Sequence, residues 1–297
     1  MSFHKYMHLE RLGTSEVDGI EVGTCHVFPK LDGTNASVWM DSEGNIKAGS
    51  RNRELSLGKD NAGFYAWVLE NEDWFKKAFE GKGSLTLYGE WLVPHSLKTY
   101  EDDAWRRFYI FDVFNRNTGQ YTTYDLYKGW LDEHGFDYLA PLAIVRNGSY
   151  EYFEKCLEKN THFIKQGMGV GEGVVIKNYS FQNDFGRVVW AKLITNAFKE
   201  KHHKEMGAPE VGQLTTEERI AEEFVTQHLV DKVYAKIANE DGWSSKMIGK
   251  LLGVVWHDLV TEEIWEITKN YKNPKIDFKR LQRYTTQRIK ELKPELF

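Results

Sequence analysis

Near residue 199 the pattern of this 297-residue chain changes, and that change limits the fold more than any other feature. Before it, short runs rich in β-branched and aromatic residues alternate with brief helical stretches, and after it every segment has helical period. The earlier runs cover residues 36–40, 45–51, 84–92, 107–114, 171–177 and 187–194, too short and too β-branched for helices. Between them, Phe64, Trp67, Val68, Trp74, Phe75 and Phe79 recur at helical spacing, as two short helices would place them. Asp125 reads as the cap of a helix ending at His134 before Gly135, and Ser149 as the cap of another ending near Lys159. The prediction is α+β: a mainly antiparallel sheet domain over residues 1–205 and a small all-α domain over 206–297. The charged run 199–205, followed by Gly207, Pro209 and Gly212, marks the boundary.

In the second domain Thr215 and Glu218 make a capping-box pattern ahead of Ile220, Phe224, Val233 and Ile237. Ser244 or Ser245 opens a second helical region and Thr261 a third. Asp277 caps the last helix, whose core stripe is Phe278, Leu281, Thr285, Ile289 and Leu292. At 100° per residue, Lys279, Arg283, Lys290 and Lys293 gather on another face. From Lys272 to Lys293 eight basic residues stand against two acidic ones, a local balance of +6.

A net charge of -5 argues against nucleic-acid binding through a global positive field, so any such contact must be local. With 41% hydrophobic and 14% aromatic residues the chain can bury a substantial core. No apolar run is long enough to span a bilayer and the start lacks a signal-peptide core, so the expectation is a cytoplasmic monomer without membrane contact. Cys25 and Cys156 lack metal-type spacing and read as small buried hydrophobes. His95 and the pair His202-His203 read as loop residues.

Several strand-like segments carry polar residues that a strand does not need: Lys30 with Asp32, Arg51, Glu90, Glu172 and Lys192. Lys30 stands beside an Asp-Gly turn, between Val27-Phe28 and the run Ala36 to Met40, where a turn would hold it at a sheet edge. A lysine amine kept neutral by nearby positive charge can attack phosphorus, and the remaining carboxylates and cations suit a nucleotide's phosphates.

The set and its order resemble the covalent nucleotidyltransferase superfamily of polynucleotide ligases and capping enzymes, and most closely the bacteriophage RNA ligase 2 family. Lys30-Leu31-Asp32-Gly33 matches the Lys-x-Asp-Gly motif, and Gly33-Thr34-Asn35 is typical of that family. Phe3, Lys5-Tyr6 and Leu9-Glu10 look like its N-terminal segment. Over residues 1 to about 200 the resemblance implies an antiparallel-sheet nucleotidyltransferase (adenylation) domain. It implies an ATP-dependent RNA ligase acting on RNA ends, such as a nicked duplex or broken RNA, with ATP and Mg2+ or Mn2+ as cofactors. Lys30 would form lysyl-AMP, Arg51 would handle the adenylylated end, and Asn35 would act in sealing. Glu90 would bind the ribose and Phe111 would stack on adenine. Glu172 would organise a metal through water, and Lys192, with Lys177 as a second candidate, would contact the α-phosphate. If the resemblance extends to origin, this is a phage protein working in its host's cytoplasm. Two departures stand out: Pro29 replaces an acidic residue before the nucleophile, and Trp190-Ala191-Lys192 replaces Lys-x-Lys, with Arg187 a substitute cation. A DNA ligase, a capping enzyme or a non-catalytic RNA-binding protein on a ligase-like fold are the competing readings.

Overall fold

The computed structural model describes residues 3–94, 99–194 and 215–297. The first two stretches form one compact unit and the third another. The expected boundary at 205/206, with His95 and His202-His203, lies outside the described residues.

In chain order the first unit holds β1 (Leu9–Arg11), β2 (Thr24–Lys30), β3 (Thr34–Met40), β4 (Ile46–Ser50), α1 (Phe64–Glu70), α2 (Glu72–Phe79), β5 (Leu85–Leu92) and β6 (Arg107–Asn115). It continues with β7 (Gln120–Thr122), α3 (Tyr124–His134), β8 (Ala143–Arg146), α4 (Tyr150–Glu158), β9 (Gly173–Lys177) and β10 (Trp190–Ile194). Two five-stranded sheets result, ordered β1-β10-β9-β2-β8 and β4-β3-β5-β6-β7. Every ladder is antiparallel except β1 with β10. The fold is therefore α+β with antiparallel-rich sheets, followed by a helical C-terminal region.

Strand alternation sorts the first sheet's two faces. Val27, Val174, Ile176, Ala191 and Leu193 pack with Phe153 of α4, a ring whose burial contributes about 1.5–3 kcal/mol. The opposite face meets the second sheet, where Val175 and Trp190 pack with Tyr6, Tyr88 and Phe114. The second sheet buries its far face, including Val38, Leu87 and Val113, under Phe64, Phe75, Phe79 and Leu131 of the helices. Pro29 is tolerated within β2 because the β8 ladder ends at Val27, so the ring displaces no bond on that side.

Several boundaries differ from the sequence reading. Thr123, not Asp125, is the N-cap of α3, and Asp125 lies in the first turn, where its charge still complements the helix terminus. β10 begins at Trp190 rather than Arg187, because the Arg187 amide and carbonyl are both spent on Asn183 in a turn. Three short strands, β1, β7 and β8, have no counterpart in the sequence reading.

The second unit comprises α5 (Thr216–Phe224), α6 (Gln227–Asp241), α7 (Ile248–Glu262), α8 (Ile264–Asn270) and α9 (Phe278–Leu292). Ile220, Phe224, Val233, Ile237, Leu251, Val255, Leu281 and Ile289 form its core. The Thr215–Glu218 capping box is present in both directions, and Asp277 caps α9 by accepting from the Lys279 and Arg280 amides. Thr261 does not start a helix: its hydroxyl donates back to the His257 carbonyl within α7. Phe278 leaves the core stripe and is 50% exposed. Lys293 leaves the basic face, because beyond the end of α9 its ammonium turns to Asp231, 2.8 Å away. No helix among the described residues is long and apolar enough to cross a membrane.

Candidate functional site

Lys30 is the last residue of β2, and Thr34 is the first residue of β3 in the other sheet. The three residues between them carry the chain from sheet to sheet, so the Lys-Leu-Asp-Gly motif is the crossing itself. Lys30 Nζ lies 2.6 Å from Glu172 Oε2, just ahead of β9, and the two backbones are held together by the pairing of Lys30 with Gly173. At the far end of the turn the Gly33 amide donates to Glu90 Oε1 at 2.9 Å. Only glycine fits here: an added Cβ would stand 2.6 Å from the Trp91 carbonyl oxygen and 3.2 Å from Leu92 Cα. Midway, the buried Asp32 donates its amide to the Tyr100 hydroxyl at 2.8 Å. Lys30, Glu172 and Glu90, from three separate motifs, thus meet around one turn.

Asn35 pairs with Glu90 across β3 and β5, so the two share a face of the second sheet. Its carbonyl and the Thr34 hydroxyl face the buried Asn61 amide, at 3.5 and 3.1 Å. Lys192 lies buried on β10, on the face it shares with Trp190 and hence toward the second sheet. Trp190, which breaks the family's Lys-x-Lys pattern, is core, edge-on to Tyr121 and Tyr179. Arg51 is exposed just beyond β4, its guanidinium 3.3 Å from His8 Nδ1. Arg187 contacts Glu16 at 3.2 Å.

Lys177 lies elsewhere than a solvent-facing phosphate contact would require. It is 1% exposed, with its Nζ 2.7 Å from Asp112 Oδ1, 2.6 Å from the Phe111 carbonyl and 4.4 Å from the centre of the Phe28 ring. Asp112 is fully buried and also accepts from the Tyr6 hydroxyl at 2.5 Å. This ion pair joins β9 of one sheet to β6 of the other. Burial pushes the Asp112 carboxyl up and the Lys177 ammonium down, while their mutual attraction opposes both shifts. Burial first, then the Asp112 charge, raises the Tyr6 hydroxyl well above the ordinary phenol range. The Phe111 ring is partly buried, 5.0 Å from that of Tyr6.

Asp112 directly follows Phe111 in the sequence, whereas no local signal there marks the buried Asn61 or Tyr100. Among the described residues no group of three or more His, Cys, Asp or Glu is arranged to ligate a metal. A divalent ion here would draw on Glu172, water and the nucleotide's own phosphates, a donor set that suits magnesium or manganese. An amine against a carboxylate, a second carboxylate at the same turn, a buried cation and an aromatic ring are a chemical set suited to a phosphorylated ligand.

A family model described as RNA ligase matches residues 23–194. Comparison with curated proteins gives no match. Among solved structures the chain is similar to the Naegleria gruberi RNA ligase with PPi, at 22% identity and a TM-score of 0.53, over 68% of this chain and 58% of that one. Two mutants of that enzyme, one with ATP and Mn and one with AMP and Mn, each match at 21% identity and a TM-score of 0.53. These cover 68% and 67% of this chain, and 58% of theirs. At that identity the likeness concerns the fold, and the chain spans under two thirds of those relatives' length.

Proposed function

Because this chain belongs to the RNA ligase family, we propose that it is an ATP-dependent RNA ligase that seals 3'-hydroxyl and 5'-phosphate ends through a lysyl-AMP intermediate. The observation that carries this reading is the meeting of Lys30, Glu172 and Glu90 around the sheet-to-sheet crossing. ATP and Mn in the solved relatives support the choice of nucleotide and metal.

In the first step Lys30 Nζ attacks the α-phosphorus of ATP, a phosphorus–nitrogen bond forms, and pyrophosphate leaves. Attack needs the free amine, so a proton must leave Nζ, and the Glu172 carboxylate at 2.6 Å is an acceptor within reach. Lys192 meets the α-phosphate and Glu90 the ribose hydroxyls. Phe111 takes the adenine on its face, and Lys177 serves the nucleotide indirectly by holding the Phe111 carbonyl. Bound Mg2+ or Mn2+, held through Glu172, would neutralise charge developing on the phosphate oxygens. In the second step a 5'-phosphate oxygen displaces Lys30 from AMP. In the third, a 3'-hydroxyl attacks the adenylylated end and releases AMP, with Asn35 and Arg51 acting at these later stages.

Residues 1–205 would form the adenylation domain and 206–297 a helical domain that contacts RNA through its basic face. Thr34-Asn35 favours the RNA ligase 2 type within the family. The test is incubation with ATP labelled at the α-phosphate: the protein takes up covalent label and the Lys30→Ala variant takes up none. Label retained after that substitution would overturn the mechanism, and nicked duplexes with RNA or DNA at the 3'-hydroxyl side would separate RNA from DNA sealing.

A further inference from the structure

Two residues outside the site's motifs each grip one of its turns. The Tyr100 hydroxyl accepts from the Asp32 amide at 2.8 Å. Asn160 brackets Glu172: its Nδ2 donates to the Gly173 carbonyl at 2.8 Å, and its own carbonyl accepts from the Gly171 amide at 2.7 Å. The clamp needs glycine at 171, where an added Cβ would lie 2.8 Å from Asn160 Nδ2. Tyr100 is 2% exposed and Asn160 1%.

The segments that carry these residues are joined to each other. Tyr100 bridges Ile164, the Glu101 amide donates to the Phe163 carbonyl at 2.8 Å, and the Lys165 amide donates to the Thr99 carbonyl at 2.9 Å. Lys165 Nζ closes on Asp102 at 2.6 Å. The β2–β9 ladder fixes Lys30 against Gly173 but stops there, leaving residues 31–33 and 171–172 outside it. The strap formed by 99–101 and 160–165 supports what the ladder does not reach.

We propose that Tyr100 and Asn160 are positioning residues on one continuous strap that holds the Asp32 turn and the Glu172 turn at a fixed mutual distance, so that Lys30 and Glu172 meet at the α-phosphate. The inference rests on the lysyl-AMP reading above. Neither residue is assigned a contact with nucleotide. Burial, and then the charge of Asp32, push the Tyr100 hydroxyl well above the usual phenol range, while the Asp32 amide that it accepts opposes the shift.

The test is the single-turnover rate constant of lysyl-AMP formation at saturating ATP and manganese, read separately from the amplitude. A fraction of unfolded protein lowers the amplitude and leaves the rate constant alone, so loss of folding and loss of position are distinguished. Tyr100→Phe keeps the ring against Trp105 and removes only the hydroxyl. It should lower the rate constant about tenfold, the effect expected from one buried hydrogen bond at the reacting geometry, with half-saturating ATP within twofold of wild type. Asn160→Ala should lower it by a similar factor and raise half-saturating manganese, because Glu172 loses its clamp. The double variant should lose less than the product of the two single losses, since both act through one strap. A Tyr100→Phe protein that reacts at the wild-type rate constant overturns the proposal, as does a double variant whose losses multiply. Wild-type protein that takes no label at all would remove the lysyl-AMP reading and this inference with it.

Discussion

Replacing Asp112 by Asn would strand a buried ammonium. Lys177 and Asp112 lie 2.7 Å apart at 1% and 0% side-chain exposure. Coulomb's law at that distance, with an effective dielectric of about 20, gives roughly 6 kcal/mol of attraction, most of it offsetting the desolvation of the two ions. Removing one charge uncovers that cost, typically about 3–5 kcal/mol. Asn can still accept from Lys177 or Tyr6, so a loss of about 3 kcal/mol is expected. The loss should depend on pH in a defined direction. Burial already lowers the Lys177 ammonium, and without Asp112 the attraction opposing that shift is gone. The unfolded chain keeps this lysine protonated to about pH 10.4. Between the lowered folded value and that point the unfolded state binds more protons, so the variant gains stability as pH rises and loses it as pH falls. The double variant Asp112→Asn, Lys177→Met should recover most of the loss, since no charge is left buried. Hydrogen exchange of β6 and β9 amides reads the opening of this unit apart from the helical one. Asp112→Asn costing under about 1 kcal/mol, with the pH slope of wild type, would refute this account of the pair.

Gly33→Ala should leave the protein folded but slow lysyl-AMP formation by about 100-fold or more, because the added methyl has to push the crossing off β5 and misplace Lys30 by a substantial fraction of an ångström; a near-wild-type rate would mean the turn tolerates the shift. Reversing charge at Lys279, Arg283 and Lys290 together should weaken sealing of nicked RNA and flatten its salt dependence while lysyl-AMP formation stays within twofold of wild type. Equal loss of both steps would assign that face to folding.

What could be read from the sequence follows from the range of the interactions involved. Lys30, Glu90 and Glu172 stand out in the sequence because a charge within or beside an apolar strand has no local reason to be there. Ser149, Thr215 and Asp277 were visible as caps because capping is settled within four residues. Lys177 showed the same kind of signal as Lys30, yet it turns inward to Asp112, 65 positions earlier in the chain, and nothing near it in sequence announces that partner. β1 was hidden for a related reason: three residues pair in parallel with a strand about 180 positions away. Phe278 and Lys293 sit at the two ends of α9, where a wheel drawn for an ideal helix no longer describes which way a side chain points. Tyr100 and Asn160 carry no motif because the groups they contact, the Asp32 and Gly171 amides and the Gly173 carbonyl, are backbone.

The proposed mechanism makes Lys30 Nζ the acceptor of AMP. The direct measurement is peptide mapping by mass spectrometry after incubation with ATP and manganese, under conditions that preserve a phosphorus–nitrogen bond. The account predicts one AMP adduct on the peptide containing Lys30, removed by pyrophosphate. An adduct on another lysine, or none on a folded, ATP-binding protein, would contradict it.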